Sequence, residues 1–251
     1  MRVPTVARIA ALIDHTLLKA EATRSAIESL CDEASAHEFA AVCVNPVWVP
    51  LCSASLGSHP TSVATVIDFP LGASESDTKV GEAELAVNEG ADELDMVAAI
   101  GHIKSGDWTH VSRDIAAVVA AAAGRAVKVI IETAVLTDAE ISRASTIARD
   151  VGAAFVKTST GFHAAGGATA HAVSTIRRAV GDDIGVKASG GIRDCDAALR
   201  MLAAGASRIG TSSGVNIVQC LDSDPTPLAE LIRHPERHAR CTTSRARRAF
   251  A

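Results

Sequence analysis

Eight short apolar runs rich in β-branched residues alternate along the chain with alanine-rich stretches of helical character. Near-continuous apolar strands are typical of a parallel sheet covered on both faces, because a strand with one solvated face would alternate apolar and polar residues. Strands are predicted at Ala11–Thr16, Ala40–Asn45, Val63–Phe69, Glu93–Ala98, Val127–Glu132, Ala154–Thr160, Ile184–Gly190 and Ser207–Ser213.

Helices are predicted between these strands. Thr137 followed by Glu140 resembles a capping box, and Asp194 can cap the helix that follows it. Glycines in EGAD, VGAA and AGAS fit left-handed helix ends. The predicted helices are Thr23–His37, Lys79–Glu89, Trp108–Ala123, Asp138–Val151, Ala168–Val180 and Asp194–Ala204.

Eight strands with helical crossovers favour a closed (β/α)8 TIM barrel of the α/β class. Spacing alone leaves an open, doubly wound sheet as the alternative. The 251 residues fit one such barrel, and no Pro/Gly/Ser-rich linker divides them. We therefore predict a single barrel domain over residues 1–233 and a basic, flexible tail over residues 234–251.

Composition and charge exclude several classes of partner. A net charge of −5 argues against general nucleic-acid binding, which needs a basic surface. The N-terminal apolar stretch is too short for a signal peptide, and the longest apolar run, Ile115–Ala123, is too short to span a bilayer. We expect a cytoplasmic protein with neither nucleic-acid nor membrane partners.

Cysteine and histidine spacing predicts neither a disulfide framework nor a metal site. The cysteines show no C-x-x-C pair, so all six are expected to be reduced thiols. The histidines form no H-x-H or H-E-x-x-H pattern, and His234 and His238 in the tail are expected on the solvated surface. The cysteines are Cys31, Cys43, Cys52, Cys195, Cys220 and Cys241.

Two strands carry a lysine within an apolar run. Lys157 lies in FVKTSTGF and Lys187 in GVKASGGI, about one βαβ unit apart. One such lysine could extend its amine to solvent at the sheet edge. A pair on neighbouring strands instead predicts two close amines, which at ~6 Å and an effective dielectric of ~20 repel by roughly 3 kcal/mol. That repulsion lowers one pKa by about two units and frees an amine that can form a Schiff base with a carbonyl.

Further polar residues gather near the predicted strand ends, where barrel enzymes carry their chemistry. Asp95 lies in the apolar run ELDMVA, and a buried carboxylate needs a partner. It could form a structural salt bridge to a lysine or carry protons during catalysis, and one contact could serve both. Glycine and serine recur after strands six, seven and eight in STG, SGGI and GTSSG, which predicts a phosphate site.

The motifs, taken in order, resemble the deoxyribose-phosphate aldolases, which are class I aldolases that use no metal. The resemblance covers about residues 8–216. The motifs are DHTLL from Asp14, CVNP from Cys43, FPLGA from Phe69, ADELDMV from Ala91, ETAVLTD from Glu132, FVKTSTGF, VKASGGI and GTSSG.

The resemblance implies a TIM barrel that reversibly cleaves 2-deoxy-D-ribose 5-phosphate into acetaldehyde and D-glyceraldehyde 3-phosphate without a cofactor. It implies a Schiff base on Lys157, a perturbing and proton-relaying Lys187, and Asp95 as the remaining acid/base. A homodimer or homotetramer is expected. The residues implied to line the substrate pocket are Asp14, Thr16 and Cys43, and those implied to bind phosphate are Gly161, Gly190, Gly191, Ser212 and Ser213.

Two departures and two alternatives accompany this interpretation. Asp68 stands where the family usually has glycine, and the chain has no tyrosine for the tail-assisted proton transfer of some members. One alternative is another lysine-dependent aldolase or transaldolase with a different substrate. The other is an inactive phosphosugar-binding barrel whose arginine-rich tail contacts nucleic acid.

Overall fold

The computed structural model describes residues 8–238. Eight parallel strands pair in chain order and close into a barrel through the pairing of the first with the last. This confirms the TIM barrel and excludes the open sheet. The strands are β1 (Ile13–Leu17), β2 (Ala41–Val44), β3 (Ser62–Ile67), β4 (Glu93–Val97), β5 (Ala126–Ile130), β6 (Phe155–Lys157), β7 (Gly185–Ser189) and β8 (Arg208–Thr211).

The six predicted helices are present, and the described residues contain four more, which the sequence analysis missed. The predicted helices are α1 (Arg24–His37), α3 (Ser76–Asn88), α5 (Trp108–Ala121), α6 (Asp138–Asp150), α7 (Ala170–Val180) and α8 (Cys195–Ala203). The missed helices are α2 (Val49–Leu56), α4 (Ile100–Ser105), α9 (Gly214–Asp222) and α10 (Leu228–Arg233). All four are short, so they present too few turns for a helical period to stand out.

Local helix signals behave as the sequence predicts. Thr137 and Glu140 form the reciprocal capping box of α6, and the Asp194 side chain accepts from the Ala197 N–H at the start of α8. The glycines of EGAD, VGAA and AGAS, which are Gly90, Gly152 and Gly205, all have positive φ. These N-caps and glycines mark where the helices begin and end.

Alternate strand residues face two different environments. Val42, Val44 and Val63 belong to the large apolar core between the barrel and its helices. Cys43 and Ala64 belong to a smaller apolar cluster, with Leu18, Ala41 and Val66, that faces the inside of the barrel. This cluster lies on β2 and β3 and at Leu18, just after β1, and the charged side chains of Asp14 on β1 and of β4 to β8 occupy the rest of the interior.

Two expectations about cysteine and histidine are wrong. Cys195 and Cys220 form a disulfide, although Cys31, Cys43 and Cys52 are free. The two bonded cysteines are 25 residues apart on different helices, so their pairing leaves no local spacing pattern. His238, expected on the surface, is buried, whereas His234 is about half exposed. Cys241 lies outside the described residues.

The chain beyond α10 continues into a short 3-10 helix over Pro235–His238. The domain boundary predicted at residue 233 and the flexible tail remain predictions, and residues 239–251 lie outside the described part of the chain. Over residues 8–238, no helix combines the length and the apolar character needed to cross a membrane.

A buried ion pair joins α3 to α5. The ammonium of Lys79 donates to Asp114 Oδ2 at 2.7 Å and to the Val97 carbonyl at 3.2 Å, and both charged side chains are fully buried. Asp68, 3.5 Å from the same ammonium, has a φ of 50°, a left-handed conformation that favours glycine. Its carboxylate accepts hydrogen bonds from the N–H and the hydroxyl of Ser74. Asp68 thus adopts the left-handed turn and also stabilises the loop between β3 and α3.

Replacing Asp114 with alanine should lower the free energy of unfolding by up to about 3–5 kcal/mol, because the buried Lys79 loses its nearest carboxylate and keeps only that of Asp68 at 3.5 Å. Urea denaturation measures the change. Glu28→Ala, which removes an exposed partner of Arg24, is the matched control and should change the stability by less than about 1 kcal/mol. Equal effects for the two variants would contradict the structural role given to Lys79 and Asp114.

Candidate active site

Strand register brings charged side chains to one level of the barrel interior. Lys157 on β6 is the register partner of Lys187 on β7, which in turn partners Arg208 on β8. Asp95 on β4 is the partner of Lys128 on β5. Register partners in a parallel sheet point to the same face, so these residues project together into the barrel.

The Asp95 carboxylate is the centre of this group. Its Oδ2 accepts from Lys157 Nζ at 2.7 Å and from Lys187 Nζ at 2.6 Å, while its Oδ1 accepts from Lys128 Nζ at 2.6 Å. Cys43 Sγ lies 4.0 Å from Oδ2. The structure therefore places Lys157 and Lys187 on a single carboxylate oxygen.

A second layer of ion pairs surrounds this centre. Asp14 contacts Lys187, and its Oδ1 accepts from Arg208 at 2.6 Å. Glu93 accepts from Lys128 at 2.6 Å and from Arg208 at 3.3 Å. The network of Lys128, Lys157, Lys187 and Arg208 with Asp14, Glu93 and Asp95 thus sets four cationic side chains against three carboxylates. One lysine can become neutral without leaving a carboxylate unpaired.

The pKa values of Lys157 and Lys187 are shifted in opposite directions. Burial is the largest effect on Lys157 and lowers its pKa; the Asp95 carboxylate acts upward and is next in size, and the charge of Lys187 acts downward and is smaller. For Lys187 burial also acts downward, but the carboxylates of Asp14 and Asp95 outweigh it and raise the pKa. Repulsion from Lys187 thus adds to desolvation in lowering the pKa of Lys157, but it is smaller than the opposing attraction of Asp95.

Asp95 and Asp14 stay ionised. Burial opposes the charge of Asp95, but Lys128, Lys157 and Lys187 together hold its pKa well below the usual range. Burial likewise opposes the charge of Asp14, and Lys187, Lys128 and Arg208 lower its pKa. Burial raises the pKa of Cys43, and the charge of Asp95 raises it further, so this thiol stays protonated.

A cleft of about 330 Å³ opens above the network, between the loops that follow β1, β6, β7 and β8. Lys157 lines it, whereas Asp14, Cys43, Asp95 and Lys187 are fully buried below. Thr16, Gly161, Gly190, Gly191 and Ser212 also line the cleft. Ser213 is not among the lining residues. It is the residue before α9, and its N–H donates to the hydroxyl of Thr211 at the end of β8.

Several residues of this site were missed by the sequence analysis. Lys128 lies in VKVIIE, a lysine within an apolar strand like the two that were chosen, so the same criterion would have found it. Arg193 and Lys19, which line the cleft, follow directly on the SGGI and DHTLL motifs. Glu93 and Arg208 stand at strand starts, where a charged residue usually faces solvent, and carry no comparable signal.

The loops after β6 and β7 pack backbone against backbone. Gly190 has a φ of 87°, and a Cβ at this position would lie 3.0 Å from the Cα of Gly167 and 3.3 Å from the Cα of Gly161. A side chain would therefore strain the turn and push the loops apart. Glycine here brings main-chain N–H groups to the cleft, an arrangement suited to an anion.

Comparisons with known proteins agree on one family. The profile of the DeoC/LacD family aldolases matches residues 8–220. The chain is 54% identical to deoxyribose-phosphate aldolase 1 of Bacillus licheniformis over 218 residues, covering 86% of this chain and 97% of the relative. It is 51% identical to deoxyribose-phosphate aldolase of Lactococcus lactis subsp. lactis over 212 residues, covering 84% and 96%.

A solved structure supports the same grouping. The tetrameric deoxyribose phosphate aldolase from Aeropyrum pernix is 34% identical to this chain, with a TM-score of 0.79 over 86% of this chain and 91% of that one. The likeness extends over the whole barrel.

Replacing Asp95 with asparagine should lower the free energy of unfolding at pH 7 by about 3–5 kcal/mol, because three lysines lose their common partner. The pKa of Lys157, which contacts Asp95, then falls further below the unfolded value of about 10.4, whereas Lys187 keeps Asp14 and Lys128 keeps Glu93. At pH values between the folded and the unfolded lysine pKa, the unfolded chain binds more protons than the folded variant. The free energy of unfolding of the variant should therefore rise with pH in this range. The loss relative to wild type should therefore be smaller at pH 9.5 than at pH 7, by urea denaturation.

Asp150→Asn, at an exposed carboxylate beside Arg149, is the control and should show no such pH-dependent difference. A loss for Asp95→Asn that is the same at both pH values would contradict the charge-based account.

Proposed function

The chain belongs to the DeoC/LacD aldolase family, and we propose that it reversibly cleaves 2-deoxy-D-ribose 5-phosphate to acetaldehyde and D-glyceraldehyde 3-phosphate through a Schiff base on Lys157. The observation that carries this proposal is the position of Lys157. It is the network lysine that lines the cleft, and its pKa is lowered. A lysine that loses its proton more readily is the better nucleophile towards an aldehyde.

The proposed reaction begins with attack of the neutral Lys157 amine on the C1 aldehyde. The carbinolamine loses water and becomes an iminium, which withdraws electrons from the substrate. Removal of the proton from the C3 hydroxyl breaks the C2–C3 bond and releases D-glyceraldehyde 3-phosphate, leaving an enamine on Lys157. Protonation at C2 and hydrolysis then release acetaldehyde and restore the free amine. The iminium supplies the electron sink, so the proposal requires no metal or organic cofactor.

Lys187 and Asp95 divide the proton transfers between them in this proposal. The raised pKa of Lys187 favours the ammonium form, which can donate a proton to the departing carbinolamine hydroxyl. The low pKa of Asp95 makes it a poor store for a proton. Because its Oδ2 touches both amines, we assign it to positioning them and to passing protons transiently between Lys157 and Lys187.

The remaining contacts are assigned by position. Gly161, Gly190, Gly191 and Ser212 lie at the end of the cleft formed by the loops after β6 to β8, and we propose that they bind the phosphate. Ser213 would contribute through the N-terminus of α9 rather than through the cleft wall.

Three further residues complete the proposed site. Thr16 would contact the sugar, while Asp14 and Cys43 would act from below by fixing Lys187 and Asp95.

The assembly and the location of the protein form part of the same proposal. We propose a homodimer or homotetramer, which the tetrameric Aeropyrum pernix relative supports. We also propose a cytoplasmic location, as fits an enzyme acting on a small phosphosugar.

Incubation with 2-deoxy-D-ribose 5-phosphate and borohydride should leave one reduced adduct, located on Lys157 by peptide mass spectrometry. Lys157→Met should abolish the adduct and lower acetaldehyde release, measured with a coupled assay, by at least about 10³-fold, since the covalent route is lost. Lys104→Met, at a surface lysine, should leave both unchanged. An adduct on Lys187 would overturn the assignment of the nucleophile, and the absence of acetaldehyde from wild type would overturn the reaction.

Gly190→Ala should raise KM for the phosphate ester by about tenfold or more, because the displaced loop weakens the anion contacts. Its kcat/KM for unphosphorylated 2-deoxy-D-ribose should change much less. Gly181→Ala is a matched control, since Gly181 also has positive φ but lies outside the cleft with open space around it. An equal loss with both substrates would contradict the assignment of this loop to phosphate.

A further inference from the structure

A cluster of reactive side chains lies apart from the candidate active site. Cys195, the first residue of α8, is joined by a disulfide to Cys220 in α9. Neither cysteine lines the active-site cleft. Cys195 is buried and Cys220 is partly exposed, so Cys220 is the member of the pair with access to solvent.

Cys220 contacts a histidine, which in turn contacts a carboxylate. His238 Nε2 lies 3.3 Å from Cys220 Sγ, and His238 Nδ1 lies 2.8 Å from Asp224 Oδ2. The imidazole is buried, with 1% of its surface exposed. Because an ionised carboxylate accepts a hydrogen bond, the proton of the neutral ring belongs on Nδ1, and the lone pair of Nε2 faces the sulfur.

This arrangement suits a thiol better than a disulfide. A disulfide sulfur has no proton to offer to Nε2, so the lone pair has no donor there. A reduced Cys220 would donate its S–H to Nε2, or transfer the proton and remain as a thiolate beside an imidazolium that Asp224 stabilises. A nucleophilic thiol, a base and a group that orients the base are the elements of an activated cysteine.

We propose that Cys220 is a redox-active thiol that His238 and Asp224 activate, with Cys195 as its resolving partner. The Cys220 thiolate attacks the terminal oxygen of a hydroperoxide, the O–O bond breaks, and the alcohol or water leaves after taking up a proton. The resulting sulfenic acid is attacked by the Cys195 thiol, the S–S bond forms and water leaves. A dithiol then reduces the Cys195–Cys220 disulfide by exchange. The dithiol becomes a disulfide itself, and both protein thiols are regenerated.

The other cysteines of residues 8–238 lack this environment. Cys31, Cys43 and Cys52 are buried; burial raises the pKa of the Cys43 thiol, and the pKa of Cys31 is lowered by a hydrogen bond with Cys52 rather than by a histidine. Cys195 has a different advantage, because its position at the N-terminus of the nine-residue α8 favours the thiolate that must leave when the disulfide is reduced. Cys220 is thus the attacking sulfur and Cys195 the resolving one.

The first experiment measures the alkylation of reduced full-length protein by iodoacetamide at pH 7. Trypsin places Cys195, Cys220 and Cys241 on different peptides, so mass spectrometry follows each thiol separately. Cys220 should react fastest, and His238→Ala should slow it about tenfold or more. Asp224→Asn should slow it in the same direction, which keeps the test valid if His238→Ala fails to fold. His234→Ala, at an exposed histidine of the same segment, is the matched control and should have no effect.

The second experiment treats the reduced protein with tert-butyl hydroperoxide. Wild type should yield the crosslinked Cys195–Cys220 peptides, and Cys195→Ser should stop at a sulfenic acid on Cys220 that dimedone captures. Unchanged alkylation in both His238→Ala and Asp224→Asn, or dimedone capture on Cys195 in Cys220→Ser as fast as on Cys220, would overturn the proposal. Stoichiometric zinc binding that protects the reduced thiols would also overturn it, since the cluster would then be a metal site.

Discussion

A single buried carboxylate, that of Asp95, holds the interior of this barrel together. Three lysine ammonium groups donate to its two oxygens at 2.6 to 2.7 Å, at the buried floor of the cleft. Without this anion the lysines would repel one another at close range, and Lys157 would lose the carboxylate that it contacts, although Lys187 would keep Asp14 and Lys128 would keep Glu93. The position of Asp95 on β4 and the register of β4 to β7 are therefore conditions for everything that the site does.

The charge balance around Asp95 explains why the pKa values of Lys157 and Lys187 shift in opposite directions. Lys187 has two carboxylates, Asp95 and Asp14, and its pKa is raised. Within residues 8–238, Lys157 has a single carboxylate contact, at Asp95, and the desolvation of its ammonium prevails. Since Lys157 also lines the cleft, the lysine with the lowered pKa is the one that a substrate can reach.

The sequence predicted the fold and the centre of the site because both depend on repeating patterns. Apolar strands at regular spacing predict the barrel, and a lysine inside such a strand is unusual enough to attract attention. Lys128 fulfils the same criterion and was overlooked, although it is as close to Asp95 as Lys187 is. The pairing of Cys195 with Cys220 and the burial of His238 could not be predicted, because they depend on how α8, α9 and the segment after α10 pack together.

The pKa values of Lys157 and Lys187 test the charge balance most directly. NMR titration of protein labelled with 13C at lysine Cε gives each value, with Lys157→Met and Lys187→Met used to assign the two resonances. We predict a Lys157 midpoint below the ordinary value of 10.5 and a Lys187 midpoint above it. A Lys157 midpoint at or above 10.5, or a lower midpoint for Lys187 than for Lys157, would contradict the role given to Asp95 and Asp14.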